Sequence, residues 1–308
     1  MMSVSLMNTE KLIGVEISKS AFKAVCVDKE GKLSDVFKTS IQGGEEIFTQ
    51  LNNFIGEVKN RFESFERLGV AVPGLLHQGT KRIAFSTYNP EHEKIDFLGE
   101  LEAANKLKIT IENDANAAAY GEFLLGAGRG SRNMFYITLG MGIGGALIFD
   151  GKIWRGAAGF AGEFGQIAIN SDGMKLEDVA SASNIVRRTR SRFHQDSTSL
   201  LNNLDEEEIR LADVISAAQN DDDFARLMLR RTGTYVGTAV AGVINLLNIE
   251  KIVIGGKIMQ ASNIVLDAII YRAKELSFTP SFATTEIVES ELGENAAAVG
   301  VALLSAEQ

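Results

Sequence analysis

Cysteine and proline are almost missing from this chain: Cys26 is the only thiol, and three prolines serve 308 residues. A lone cysteine excludes a disulfide framework. Long apolar runs are also missing, since the most apolar stretch, 239–249, is short and broken by Asn245 and Asn248, so no membrane-spanning helix is expected. Positive charge is in deficit, with 31 Lys and Arg against 40 Asp and Glu, a net charge of -9 and a pI near 5.1. That overall balance argues against nucleic acid and against anionic membrane as partners. Residues 1–10 have neither the basic start nor the apolar run of a signal peptide, so a cytoplasmic location is expected.

What is present is an alternating pattern of strands and helices long enough for two domains. Apolar strands at 12–18, 21–28 and 32–38 form a meander, with Glu30-Gly31 at its second turn. Helical spacing follows at 45–62, a buried strand at 68–72 meets Pro73-Gly74, a helix covers 96–106, and a short strand runs into Asp114. After a helix at 115–125 the meander recurs, with strands at 134–139 and 144–149 and a turn at Asp150-Gly151. The chain therefore reads as internally duplicated. Helices are expected near 178–193, 206–218, 224–247, 261–276 and 295–305, with a strand at 251–254. The domain division expected from this pattern is 1–115, joined by the last helix at 295–308, and a larger C-terminal part at 116–294.

Two stretches carry chemistry. In the first, an apolar strand ends at Asn113-Asp114 and an alanine-rich helix starts at once. A carboxylate at such a junction can act as a base, and it can also simply cap the helix. In the second, residues 138–148, a strand pattern is broken by Gly140, Gly142, Gly144 and Gly145, so a ligand can approach bare backbone. A third glycine turn stands at Gly255-Gly256 after the strand at 251–254.

The blocks Asn113-Asp114-Ala115-Asn116-Ala117-Ala118-Ala119-Tyr120-Gly121-Glu122 and Gly156-Ala157-Ala158-Gly159-Phe160-Ala161-Gly162-Glu163-Phe164-Gly165, with Val72-Pro73-Gly74 and Ile252-Val253-Ile254-Gly255-Gly256, resemble the ROK family of bacterial sugar kinases and repressors. The resemblance runs over nearly the whole chain. It implies an α/β fold of duplicated actin-like ATPase (ribonuclease H-like) domains with a cleft between them, a small-molecule sugar ligand, Mg-ATP as phosphate donor and a homodimer. By the same resemblance Asp114 is the base that takes the proton of the attacking sugar hydroxyl. Asn113, Glu163 and Glu177 match sugar-binding positions. Gly140, Gly142, Gly255 and Gly256 match backbone around the nucleotide, and Glu16 and Ser20 match the positions that serve magnesium and phosphate. The family's repressors resemble a kinase preceded by a helix-turn-helix domain; here the first strand begins at Leu12, so no such domain is expected.

Departures from the family pattern are equally specific. The first phosphate turn of the family reads Asp-x-Gly-Gly-Thr, and here it is Glu16-Ile17-Ser18-Lys19-Ser20. The Thr of the second turn is Met141, and the glycine after Gly255-Gly256 is Lys257. Losing one or two hydrogen bonds to a charged phosphate, each worth roughly 1.5–3 kcal/mol, weakens binding about 100-fold to 10,000-fold with some steric obstruction added. Lys19 and Lys257 could restore positive charge as point cations, although an exposed lysine is more often just solvated. The family's zinc-binding histidine is Gln166, and 168–175 contains no cysteine, so no zinc is expected; Gln166 still offers a donor and an acceptor to a sugar. His77, His92 and His194 lack ligand spacing and read as surface residues. Two functions are therefore carried forward: an ATP-dependent hexose kinase of glucokinase type, and a sugar-binding or regulatory relative that does not use ATP.

Overall fold

The structure is a computed structural model that describes residues 11–307 apart from 29–31, 44, 64 and 87–89. The Glu30-Gly31 turn lies outside the described residues. In chain order the first half contains β1 (Leu12–Ile17), β2 (Ala21–Val27), β3 (Leu33–Ser40), α1 (Ile47–Phe62), β4 (Arg67–Val72), β5 (Leu75–Leu76), β6 (Ile83–Phe85), α2 (Phe97–Asn105), β7 (Lys108–Asn113) and α3 (Asp114–Leu125). The second half contains β8 (Met134–Leu139), β9 (Ile143–Phe149), β10 (Lys152–Trp154), α4 (Glu177–Ala180), α5 (Ala182–Arg190), α6 (Leu211–Gln219), α7 (Asp223–Leu247), β11 (Lys251–Gly255), α8 (Ser262–Leu276), α9 (Thr279–Ala283), β12 (Glu286–Glu289) and α10 (Ala296–Ala306). No helix among the described residues is long and apolar enough to cross a membrane.

These elements form two compact units. Unit 1 comprises residues 1–129, 152–161 and 295–308, and unit 2 comprises 130–151 and 162–294. In unit 1 the strand order is β3-β2-β1-β4-β7, with β1 to β3 antiparallel and β4 and β7 parallel to β1. A second five-stranded sheet, in the order β10-β9-β8-β11-β12, repeats the arrangement, with an antiparallel β8–β9 hairpin and parallel β11 and β12. Each unit has its own apolar core, one around Phe22, Phe54 and Phe97, the other around Phe164, Phe193 and Ile254. Asp150 and Gly151, both at positive φ (50° and 77°), make the expected turn after β9.

Helix α10 returns to unit 1 because small residues let it lie directly on the sheet. A Cβ on Gly14 in β1 would stand 1.9 Å from the Ala298 carbonyl, and one on Gly69 in β4 would stand 2.1 Å from that of Val301. On its other side, a Cβ on Gly300 would stand 1.7 Å from the Ala117 carbonyl in α3. The boundary at 115/116 read from the sequence passes through this packing, since α3 lies with unit 1 and so does the returning segment 152–161.

Two helix boundaries differ from the sequence reading. The helix expected over 178–193 is broken at Ser181, whose backbone is extended (φ -70°, ψ 158°), because the Ala182 amide donates to the Gly140 carbonyl at 2.8 Å instead of continuing the helix. The helix expected from 206 begins at Leu211, where the Asp213 carboxylate accepts from the Arg210 amide at 2.7 Å.

Candidate active site

In unit 1 the parallel strands β1, β4 and β7 end at one edge, and ligands of open α/β sheets collect at such carboxyl ends. Glu16, Ala71 and Glu112 face one another in register across the three strands. The chain then turns through Ser18, Lys19 and Ser20 after β1, through Pro73-Gly74 after β4, and into α3 after β7. Thus three of the segments singled out in the sequence meet at one edge.

At the end of β7, Asn113 and not Asp114 caps α3. Asn113 is extended (φ -61°, ψ 143°), and its Oδ1 accepts from the Asn116 amide at 3.0 Å. Its Nδ2 donates to the Gly74 carbonyl at 3.0 Å and to Asp114 Oδ1 at 3.1 Å. Both Nδ2 protons are therefore used inside the protein, and what Asn113 retains for a ligand is acceptor capacity on Oδ1. Asp114, half-buried in the first turn, accepts from the Ala115 amide at 2.9 Å. The capping alternative weighed for Asp114 thus falls to its neighbour.

Beneath this pair lies a residue that motif reading passed over. Glu112 is only 6% exposed. Its Oε1 accepts from the Asn113 amide at 3.0 Å and from Asn116 Nδ2 at 3.1 Å, and its Oε2 accepts from Arg155 Nε at 3.0 Å and Nη2 at 2.6 Å. In Lys108-Ile109-Thr110-Ile111-Glu112-Asn113 polar residues alternate with isoleucines, so Glu112 reads as the solvent-facing side of a strand; its burial is permitted by a partner distant in sequence.

The first turn is closed by its own side chain. Ser18 Oγ donates to the Ala21 carbonyl at 2.8 Å and accepts from the Ala21 amide at 3.1 Å, while the Ser18 amide donates to that same carbonyl at 2.9 Å. Glu16 is engaged by Lys23, whose Nζ lies 3.0 Å from Oε2, with both side chains largely buried. The carboxylate expected to serve magnesium therefore already has a cation beside it. Lys23, from β2, is a second site residue that the sequence reading missed.

In unit 2 the turn between β8 and β9 retains bare backbone. A Cβ on Gly140 would meet nothing nearer than the Gly142 carbonyl at 3.8 Å, and Met141 is exposed. The turn is held from below, with the Gly140 amide donating to the Gly142 carbonyl at 3.0 Å and the Ile143 amide donating to Glu177 Oε2 at 2.7 Å. Glu177, read from the sequence as a sugar ligand or a solvated helix carboxylate, is half-buried and anchors this turn through one of its oxygens. At Gly165 a side chain would not fit, because a Cβ would run into the Ile143 carbonyl, whereas a Cβ on Gly142 would meet only the flexible end of Glu177, at 2.9 Å from Oε2. After β11, Gly256 has φ +96° and a Cβ there would stand 2.4 Å from the Leu139 carbonyl, so only glycine suits the position. Lys257 is exposed directly after it. These unit 2 turns fit a nucleotide phosphate; in unit 1, Lys23 already engages one oxygen of Glu16.

Glu163 is exposed as a residue, yet its carboxyl pKa is raised, first by the protein packed around it and second by the charge of Glu177. Gln166 is exposed, and its Oε1 accepts from Lys175 Nζ at 2.8 Å, leaving the amide donors to face outward chemistry. Where zinc ligands stand in the family pattern, residues 168–175 form a hairpin, with Ile169 bonded to the Met174 carbonyl at 2.8 Å and the Met174 amide to Asn170 Oδ1 at 2.9 Å. Among the described residues no cluster of three or more His, Cys, Asp or Glu could hold a metal ion. His92, read as a surface residue, is in fact buried at 3% exposure, its ring 4.6 Å from that of Phe97. Burial pushes its pKa down to about 4 against the opposing charge of Glu91.

Comparison with known proteins agrees with the duplicated fold. The sequence profile of the ROK family matches residues 12–308. The chain is 32% identical to a glucokinase of Thermotoga maritima, over 97% of this chain and 98% of that protein. It is 26% identical to the xylose repressor of Bacillus subtilis, over 94% of this chain and 75% of the repressor. Among solved structures, a ROK family glucokinase from Streptomyces griseus in complex with glucose and AMPPNP superposes with a TM-score of 0.83 at 26% identity, covering 97% of this chain and 100% of that one.

Proposed function

The chain belongs to the ROK family, and from that premise we propose that it is an ATP-dependent hexose kinase of glucokinase type. The observation that carries the proposal is the arrangement at the start of α3, where Asn113 caps the helix and, with the Ala115 amide, fixes Asp114 by its Oδ1. Asp114 takes the proton of a sugar hydroxyl as its oxygen attacks the terminal phosphate. Because phosphoryl transfer depends mainly on placement and charge stabilisation, a base held in one orientation contributes most by positioning the nucleophile. Asn113 Oδ1, Glu163 and the outward amide of Gln166 bind sugar hydroxyls, while Glu177 acts from behind, holding the glycine turn. When bound, Mg-ATP supplies the phosphoryl group; Gly140, Gly142, Gly255 and Gly256 would line it with backbone, and Ser20 would offer a hydroxyl. The proposal extends to a cytoplasmic homodimer, a reading supported by exposed apolar side chains of unit 2 such as Leu246, Tyr271 and Phe278.

Asp114→Asn should lower kcat by about 100-fold to 10,000-fold, the usual contribution of a general base, while the protein still folds, because the helix cap is Asn113. Retention of activity in that variant would remove Asp114 from the base role.

A second reading, a sugar-binding protein that does not use ATP, is favoured by the Glu16–Lys23 pair and by the self-closed turn at Ser18. Calorimetric titration of Mg-ATP in the presence of hexoses separates the two: the kinase binds nucleotide at or below roughly millimolar Kd, and the sugar-binding protein does not.

A further inference from the structure

We propose that Arg155 is a positioning residue for Asp114, acting through Glu112; this rests on the kinase reading above. The Glu112 carboxylate receives four hydrogen bonds, two on each oxygen, which fills its acceptor sites. One oxygen holds the Asn113 amide and the Asn116 side chain, fixing the junction of β7 and α3. The other is held by the Arg155 guanidinium alone. From Glu112 the connection continues through Asn113, whose Nδ2 orients Asp114 Oδ1. Each step is a direct contact within unit 1.

Arg155 comes from an unusual segment. Residues 152–161 pack with unit 1, although the chain on either side of them belongs to unit 2. The segment is anchored again where the Gln78 amide donates to the Ala158 carbonyl at 2.7 Å. At Gly159, with φ +110°, a Cβ would stand 2.1 Å from the Leu76 carbonyl, so the backbone lies directly against β5. Glu163, assigned above to the sugar, follows this segment almost immediately in the chain. The ion pair thus ties the segment 152–161 to the strand that carries the base. A lysine could supply the charge at position 155, but not two donors from one planar group.

The test compares Arg155→Met and Arg155→Lys with the parent, reading kcat, KM and amide hydrogen exchange at temperatures where each variant is fully folded. Arg155→Met should lower kcat at least tenfold, leave the KM for Mg-ATP within threefold, and speed exchange at residues 113–116. Arg155→Lys should recover part of the kcat. A kcat within twofold of the parent in Arg155→Met overturns the proposal. If the parent phosphorylates no sugar, the kinase reading fails separately and exchange alone decides: unchanged exchange at 113–116 overturns positioning by Arg155, and faster exchange upholds it. Should Arg155→Met fail to fold because a buried carboxylate is left unpaired, Glu112→Gln combined with Arg155→Met removes that charge. The same losses of kcat and protection are expected in the double variant, and parent-like values overturn the proposal.

Discussion

Single residues matter here through the partner each one has, and the partners are mostly remote in sequence. Glu112 and Glu16 are both carboxylates at the carboxyl end of a strand; one is matched by Arg155 and the other by Lys23. His92 illustrates the energetic side. Its folded pKa is about 4 against 6.5 when unfolded, so between those values the unfolded chain binds more protons. Stability then rises with pH across that window and is lost on acidification through it. Urea denaturation of the parent and of His92→Leu from pH 4 to 7 should show a steeper acid loss in the parent; identical pH slopes would mean that His92 is not held neutral. The histidine's burial was not legible in the sequence, because a lone imidazole between Glu91 and Glu93 reads as solvent-facing until Phe97 is seen to cover it.

At the scale of elements, the fold depends on how closely helices approach sheets and turns. Helix α10 rests on β1 through Gly14, so Gly14→Ala should destabilise by roughly 4 kcal/mol or more, since backbone and not a flexible side chain lies in the way. Gly56→Ala in α1 is the contrasting case, with open space around the site; removing a helical glycine there should stabilise by about 0.5–1 kcal/mol. Denaturant midpoints of the two variants check both. The hairpin at 168–175 closes through its own backbone and the Lys175–Gln166 contact. Dialysis against a chelator should therefore leave the melting temperature unchanged; a fall of several degrees would reveal a metal that stabilises this region. The apolar run of β1, the long helical pattern of α7 and the alanine-rich stretch of α10 were legible from the sequence. The four-residue strand β12 was not, because its pairing with β11 supplies the reason for its extended backbone. The break at Ser181 was hidden likewise, since it follows from the bond between Ala182 and Gly140.

For the whole molecule, the repeated strand order in the two units is the physical counterpart of the repeated meander in the sequence. A sugar that binds only the folded chain stabilises it by mass action, by about 2.7 kcal/mol at a concentration 100 times its Kd. Screening hexoses and hexosamines by thermal shift should thus identify the ligand without assuming catalysis. A rise with one sugar and none with its epimers is expected; the absence of any shift across the panel would count against a sugar site of either kind.

The sequence by itself determined the duplicated α/β architecture, the family, and the positions of Asp114 and of the glycine turns, because these depend on local patterning and on backbone positions that accept only glycine. Only the tertiary structure decided which carboxylates are occupied and by what. Asn113 rather than Asp114 caps α3, Glu177 anchors a turn, Lys23 neutralises Glu16, and Arg155 holds Glu112. A charged side chain must find its partner in space, and pairs such as Glu112 and Arg155 are brought together by folding and leave no spacing signature in the chain.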